Sequence, residues 1–254
     1  MLQHTWKSLV AILFVGLASM TAQAADWGDL EGQFVLDGDI PVLKPLVVVG
    51  DTTAKDAAVC AKTGVPDESV VVNPDNKGIA NIVVYLRKAP GSIHPELKDV
   101  PSQAVVVDQL GCMFTPHVSL ARAGQAIQCK NSDGAGHNVH TYPFTNTPEN
   151  FILAPLDTTG KSITLKQAES RPMKVGCDIH TYMTSWCVVL DHPYAAVTDK
   201  DGKFKISKLP AGSHTFTVWQ EKAGYVEKAW TVNVKAGANT EKPVSVKASV
   251  FADK

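Results

Sequence analysis

The sequence predicts an all-β fold, on three observations. Helical periodicity is scarce; short runs rich in β-branched residues recur along the whole chain; and those runs are cut by Gly, Pro, Asn and Asp. Ile82-Val83-Val84-Tyr85-Leu86, Ala104 to Val107, Ile163-Thr164-Leu165 and Trp230-Thr231-Val232-Asn233-Val234 are examples. Such runs fit a sandwich or barrel rather than strands alternating with helices. Only Asp51 to Cys60 and Thr147 to Ile152 have the composition of a short helical turn.

Taken in order, the chain opens with Lys7, the apolar run Leu9 to Leu17 and the small-x-small triplet Ala22-Gln23-Ala24. This is the pattern of a signal peptide over residues 1–24, and it predicts a periplasmic or otherwise exported protein. The run is shorter than the roughly 20 residues a spanning helix needs, and no later segment reaches that length. Cleavage removes Lys7 and no acid, which takes the formal charge from −1 to −2. A balance so close to neutral excludes nucleic acid as the expected partner, because phosphate binding needs a concentrated basic surface.

Residues 25–78 begin with a plausible strand, Trp27 to Val35, then pass through Asp37-Gly38-Asp39 to the apolar Leu46-Val47-Val48-Val49. They are expected to form a β extension packed on the domain that follows. Residues 79–190 hold the His and Cys motifs. Residues 191–254 carry Asp201-Gly202 between two alternating runs, a hairpin signal, followed by Leu209-Pro210-Ala211-Gly212 and Thr215 to Trp219. This last part resembles the carboxypeptidase-regulatory-like, transthyretin-like β-sandwich, in which strand, acidic-Gly turn, strand and Pro-Ala-Gly turn follow in that order.

The chemistry concentrates in Val175-Gly176-Cys177-Asp178-Ile179-His180-Thr181-Tyr182-Met183, which sets a thiol, an imidazole and a thioether three residues apart. A thiolate with two imidazoles and a distant thioether is a set that copper accepts in electron-transfer sites, whereas zinc prefers four strong ligands. A second imidazole is available upstream, in Asn131-Ser132-Asp133-Gly134-Ala135-Gly136-His137-Asn138-Val139-His140. Taken singly, Cys177 could be half of a disulfide, His180 a surface histidine and Met183 a core filler. Their joint appearance with His137 is what points to one metal ion.

In these residues the chain resembles the cupredoxins, the family of plastocyanin, pseudoazurin and amicyanin, over about 110 residues. The family places its first ligand in a His-Asn pair after such a loop and the other three on a Cys-x-x-His loop some forty residues later. The resemblance implies a Greek-key β-sandwich holding one type 1 copper ion through His137, Cys177, His180 and Met183, with the short His-to-Met gap of amicyanin. It implies that Asn138 ties the two ligand segments together by hydrogen bonds. Strand alternation puts His137 and Val139 on one face and Asn138 and His140 on the other, which leaves His140 facing away from the site, against the N-terminal stretch.

Where amicyanin-like loops carry Thr and Pro, this chain has Asp178 and Ile179. The carboxylate is expected to add negative charge beside the metal and to lower its potential. An edge of His180 exposed among Ile179, Tyr182 and Pro143 is the expected electron port. The four other cysteines allow three pairings, of which Cys60 with Cys112 and Cys129 with Cys187 is preferred, the second joining strands that meet at the metal end. His117 and His192 lack partners at ligand spacing, which favours a structural role over a second metal site.

The whole chain also resembles a group of exported cupredoxin-like proteins labelled methylamine utilisation proteins, which implies electron transfer with a redox protein such as a dehydrogenase or a c-type cytochrome. The leading expectation is an electron carrier without enzymatic activity, since copper enzymes need a second His-rich centre and no Ser-His-Asp or paired-carboxylate arrangement stands out. The rival expectations are a copper storage or delivery protein, and a structural or adhesive β protein in which copper is incidental.

Overall fold

The computed structural model describes residues 26–252; the expected signal peptide lies outside them. The elements follow as β1 (Trp27–Asp37), the helix α1 (Ala57–Thr63), β2 (Val83–Leu86), β3 (Val105–Leu110), β4 (Met113–Thr115), β5 (Val118–Arg122), β6 (Ala126–Cys129), β7 (His137–Tyr142), β8 (Asn150–Leu153), β9 (Lys161–Thr164), β10 (Met173–Gly176) and β11 (Thr184–Leu190). After these come β12 (Ala195–Val197), β13 (Lys203–Pro210), β14 (Gly212–Gln220), β15 (Gly224–Val234), β16 (Gly237–Thr240) and β17 (Val244–Lys247). The chain is all-β, as its patterning predicts.

Strands β3 to β11 build one sandwich. One sheet runs β5-β11-β10-β7-β8 and the other β4-β3-β6-β9. Inward residues of both sheets, among them Val107, Ile127, Ile163, Val139, Val175 and Val189, form its core. Strand parity explains the selection: in β11, Cys187 and Val189 enter this core while Val188 and Leu190 leave on the opposite face.

The second sandwich takes strands from both ends of the chain. Its sheets are β12-β2-β14-β15 and β13-β1-β16, with β17 also pairing β1, over a core that includes Leu30, Phe34, Ile82, Val84, Phe216 and Val218. This corrects the expected division at residue 78. β1 pairs antiparallel with β13 and parallel with β16 and β17, and β2 lies between β12 and β14, so strands assigned to the extension and to the metal domain belong with the C-terminal strands. The reason is apolar pairing: Leu30 and Phe34 find their buried partners only there. The middle of the extension does pack on the metal sandwich, where Val47, Cys60, Ala61 and Val65 enter its core.

Two local expectations also change. Thr147 to Ile152 contributes to β8, antiparallel to β7, rather than to a helical turn. The Asp201-Gly202 turn forms, with Gly202 N–H donating to Asp199 O at 2.9 Å, but its flanking strands part into opposite sheets, β12 onto β2 and β13 onto β1. Gly202 (φ +73) is needed there, because a Cβ would lie 2.3 Å from Phe34 O.

The two sandwiches meet face to face. Val83 and Tyr85 of β2 and Trp219 of β14 pack on Val118, Val188 and Leu190. Trp186 meets Trp219 edge-on at 4.9 Å, and His117 Nε2 reaches Glu221 Oε1 at 2.7 Å. Glu221 also accepts from the Trp186 indole N–H. His192 Nε2 donates to Leu86 O at 2.9 Å, and its Nδ1 accepts from Tyr194 N–H at 3.2 Å. The two histidines thus serve packing at separate places.

Candidate metal centre

Strands β7 and β10 are neighbours, with His140 opposite Gly176, so the loop that follows Gly176 turns back over the start of β7. Cys177 N–H donates to Met183 O at 3.2 Å and Met183 N–H to His180 O at 2.8 Å, which closes residues 177–183 into a tight loop. Its four implied ligands are all buried: His137 is fully enclosed, and Cys177, His180 and Met183 are nearly so.

His137 Nδ1 lies 3.0 Å from His180 Nδ1, while Cys177 Sγ lies 4.0 Å from the first and 3.8 Å from the second. A point equidistant from these three atoms is about 2.1 Å from each, close to the roughly 2.0–2.3 Å of metal–imidazole and metal–thiolate bonds. Cys177 is not part of a disulfide. The donor set therefore fits a single soft, redox-active metal ion. His180 N–H also donates to Cys177 Sγ at 3.4 Å.

The charges of the metal-free site are set by this packing. Burial pushes the Cys177 thiol up, but the His137 ring and the N–H groups of the loop outweigh it and lower its pKa. Burial alone would lower His137, yet Asp133 and Cys177 outweigh it and raise it to about 9. Each shift favours the charged form of its group, the thiolate on Cys177 and the imidazolium on His137. His180 is lowered, by burial first and by the neighbouring His137 second, with Asp56 opposing. The shift favours the neutral ring, which keeps a lone pair for a metal.

The outer nitrogens of both rings face carboxylates. His137 Nε2 is 2.9 Å from Asp133 Oδ2, and Asp133 is itself fixed by Gly111 N–H at 2.7 Å and Cys112 N–H at 2.8 Å. Asn131 braces the same loop by donating to Ala135 O and Ala154 O, each at 2.8 Å. Such partners hold ring orientation and raise ligand basicity. His180 Nε2 is 3.0 Å from Asp56 Oδ2, with the carboxylate off the N–H axis, so this is an electrostatic approach rather than an aligned hydrogen bond.

Asn138 links the two ligand segments. Its Oδ1 accepts from Asp178 N–H at 2.6 Å and from Ile179 N–H at 3.3 Å, and its Nδ2 donates to Asp178 Oδ2 and Asn150 Oδ1, each at 2.9 Å. Asp178 turns away from the donor triangle. It sits against His140 Nδ1 at 3.0 Å and accepts from Asn150 Nδ2 and Tyr142 OH. Hydrogen bonds from His140, Asn150 and Asn138 hold its pKa down to about 2. Its charge is engaged by this cluster, and His140 meets Asp178 instead of the N-terminal stretch.

Two further expectations are corrected. The edge of His180 is not an exposed port: the residue is 1% exposed and Asp56 covers its outer nitrogen. Cys129 and Cys187 are free buried thiols on strands from facing sheets, each raised by burial, whereas Cys60 and Cys112 form a disulfide. Cys112 and Asp133 also lie within 4.8 Å of His137, but the Cys112 sulfur is bonded to Cys60 and is no thiolate ligand. Sequence reasoning missed Asp133 and Asp56. The first stands four residues before His137 in the quoted loop, where a carboxylate near a ligand imidazole is a usable signal; the second had only the nearby Cys60 to suggest it.

No protein-family model and no curated protein matches the chain. Among solved structures it is similar to a copper-containing nitrite reductase from Thermus scotoductus SA-01, with 22% identity and a TM-score of 0.29 over 40% of this chain and 24% of that one. It is also similar to an oxidised amicyanin variant (21% identity, TM-score 0.30, 36% of this chain and 86% of that one). A purple cupredoxin from Nitrosopumilus maritimus matches with 15% identity and a TM-score of 0.27, over 34% of this chain and 98% of that one.

Proposed function

We propose that this protein is an exported type 1 copper protein that carries single electrons between redox partners, binding one ion through His137, Cys177, His180 and Met183. The observation that carries the reading is the buried triangle of His137 Nδ1, Cys177 Sγ and His180 Nδ1, at 3.0, 3.8 and 4.0 Å. Copper would supply a one-electron couple there. Met183, buried at the end of the same loop, is the thioether that would complete the set.

The chain's own residues do the rest. Asp133 and Asn138 hold His137 and the 177–183 loop in place, so that little rearrangement need accompany a change of charge. Burial excludes water from the thiolate. The same rigidity speaks for a carrier over a delivery protein, which must open its site to hand the ion on. The remaining described histidines have other engagements: His94 with Glu96 N–H, His117 with Glu221, His140 with Asp178, His192 with Leu86 O and His214 with Pro210 O. Our reading is carriage without catalysis. No helix of the described residues is long and apolar enough to cross a membrane, and the partner in this reading is a redox protein such as a dehydrogenase or a c-type cytochrome.

The test is Cu(II) addition to the mature protein. Strong visible absorption from thiolate-to-Cu(II) charge transfer, lost in Cys177→Ser, together with a reversible potential supports the carrier. A colourless site that holds only Cu(I) would replace it with storage or delivery. A protein that takes up no copper would leave the structural reading.

A further inference from the structure

Asp56 stands at the N-cap position of α1, where an aspartate ordinarily accepts hydrogen bonds from the helix's own free N–H groups. Here its side chain makes no cap hydrogen bond, and its backbone is left-handed, with φ 50 and ψ 44. That region is uncommon for residues bearing a side chain, although aspartate tolerates it better than most. The carboxylate is instead turned to His180, 3.0 Å from Nε2. A residue that forgoes the usual cap in an unusual backbone conformation points to a role outside its own helix.

The segment around it is fastened to the metal sandwich. Cys60 N–H donates to Asp56 O at 3.0 Å, and Cys60 is bonded to Cys112, whose own N–H donates to Asp133 Oδ2. Asp133 in turn holds His137. One short covalent and hydrogen-bonded path therefore runs from the carboxylate on one imidazole to the carboxylate on the other. Cys112 is also left-handed, with φ 57. Ala54, Ala57 and Val59 pack on the core beside this path, and Val59 approaches Gly134 of the histidine loop.

We propose that Asp56 is a positioning residue of the metal site, which keeps Nδ1 of His180 toward the centre and shuts its outer edge from solvent, and that the Cys60–Cys112 disulfide is the clamp that holds it there. The potential arm of this inference rests on the copper reading; the cover itself does not. Negative charge beside a ligand imidazole stabilises Cu(II) over Cu(I), so its removal raises the potential. With the edge shut, electrons must pass by another face of the loop.

Two measurements on the full mature chain decide the matter. In the copper-loaded protein, Asp56→Asn should lower the ratio of Cu(II) to Cu(I) affinity at least tenfold, an upward shift of about 59 mV for a one-electron couple, with the charge-transfer absorption kept. Asp56→Glu should restore most of the wild-type value. In the metal-free protein, carbethoxylation of His180 by diethyl pyrocarbonate, mapped by mass spectrometry against His140 as reference, should be at least tenfold faster in Asp56→Ala and in the Cys60→Ser/Cys112→Ser double variant than in wild type. An unchanged potential in Asp56→Asn overturns the positioning role, and a His180 still protected in the double variant overturns the clamp. If wild type itself binds no copper, the copper reading fails, and the protection assay still decides whether Asp56 covers His180.

Discussion

His137 and His180 face one another through their Nδ1 atoms at 3.0 Å although 43 residues separate them in the chain. The shifts of the two rings diverge: Asp133 and Cys177 outweigh burial and raise His137 to about 9, while burial and then His137 lower His180, so the close approach need not bring two like charges together. The metal-free site is therefore already arranged as an acceptor for a cation.

This arrangement predicts proton release. A metal ion can reach His137 Nδ1 only after the imidazolium loses its proton, and the lowered pKa of Cys177 eases loss of the thiol proton. Below the raised His137 value of about 9, protons compete with the metal, so affinity should rise about tenfold per pH unit from pH 6 to 8 and level off above 9. Titration calorimetry in two buffers of different ionisation heat should show net proton release on metal binding at about pH 7. An affinity independent of pH across that range would contradict the assignment.

Asn138→Ala removes one acceptor that serves two loop N–H groups and two side-chain bonds. Loss of stability should be about 2–3 kcal/mol, since buried N–H groups lose their partner. Copper affinity measured against a competing chelator should fall about 10- to 100-fold, the range for residues that orient metal ligands.

The His117–Glu221 contact predicts a pH-dependent latch between the sandwiches. Burial would lower the His117 pKa, but Glu221 and then Glu68 outweigh it and raise it above 6.5. A raised folded-state value means that the stabilisation is full below about 6.5 and is lost as pH rises through the folded value. His117→Gln should therefore cost about 1–2 kcal/mol at pH 5.5 and less at pH 8.5, read as the difference in thermal midpoint from wild type. A gap that widens with pH would refute the latch.

Trp219→Ala removes a buried indole from the contact between sandwiches, where it meets Trp186 edge-on. The expected cost is about 3–5 kcal/mol, measured by chemical denaturation. The absorption of the copper-loaded site should not change, because Trp219 touches none of the ligand elements.

What was legible in the sequence was local. Cys177, His180 and Met183 share one loop, and alternation along β7 correctly separated His137 from Asn138 and His140. Relations across the chain were not legible. Nothing near Trp27 announces that β1 pairs with β13, because strand partners are chosen by buried faces such as those of Leu30 and Phe34. Thr147 to Ile152 lacks strand composition because β8 is an edge strand with Ile152 73% exposed. Asp56 reaches His180 only through the folded clamp, and the bonds of Asp178 to His140, Asn150 and Tyr142 were not legible because sequence adjacency does not tell which way a side chain turns.

The way the strands interleave has a bearing on biogenesis. Residues 105–190 supply every strand of one sandwich, whose core is completed by the preceding residues Val47, Cys60, Ala61 and Val65, while the other waits on partners from both sides of that stretch. As the polypeptide is synthesised, the unit bearing the ligands can close first. β1 and β2 meanwhile hold apolar faces without mates until β13 and β14 emerge. Ribosome stalling or truncation beyond residue 190 should therefore yield a chain with a formed ligand loop and sticky leading strands, a species prone to aggregate rather than a functional half-protein.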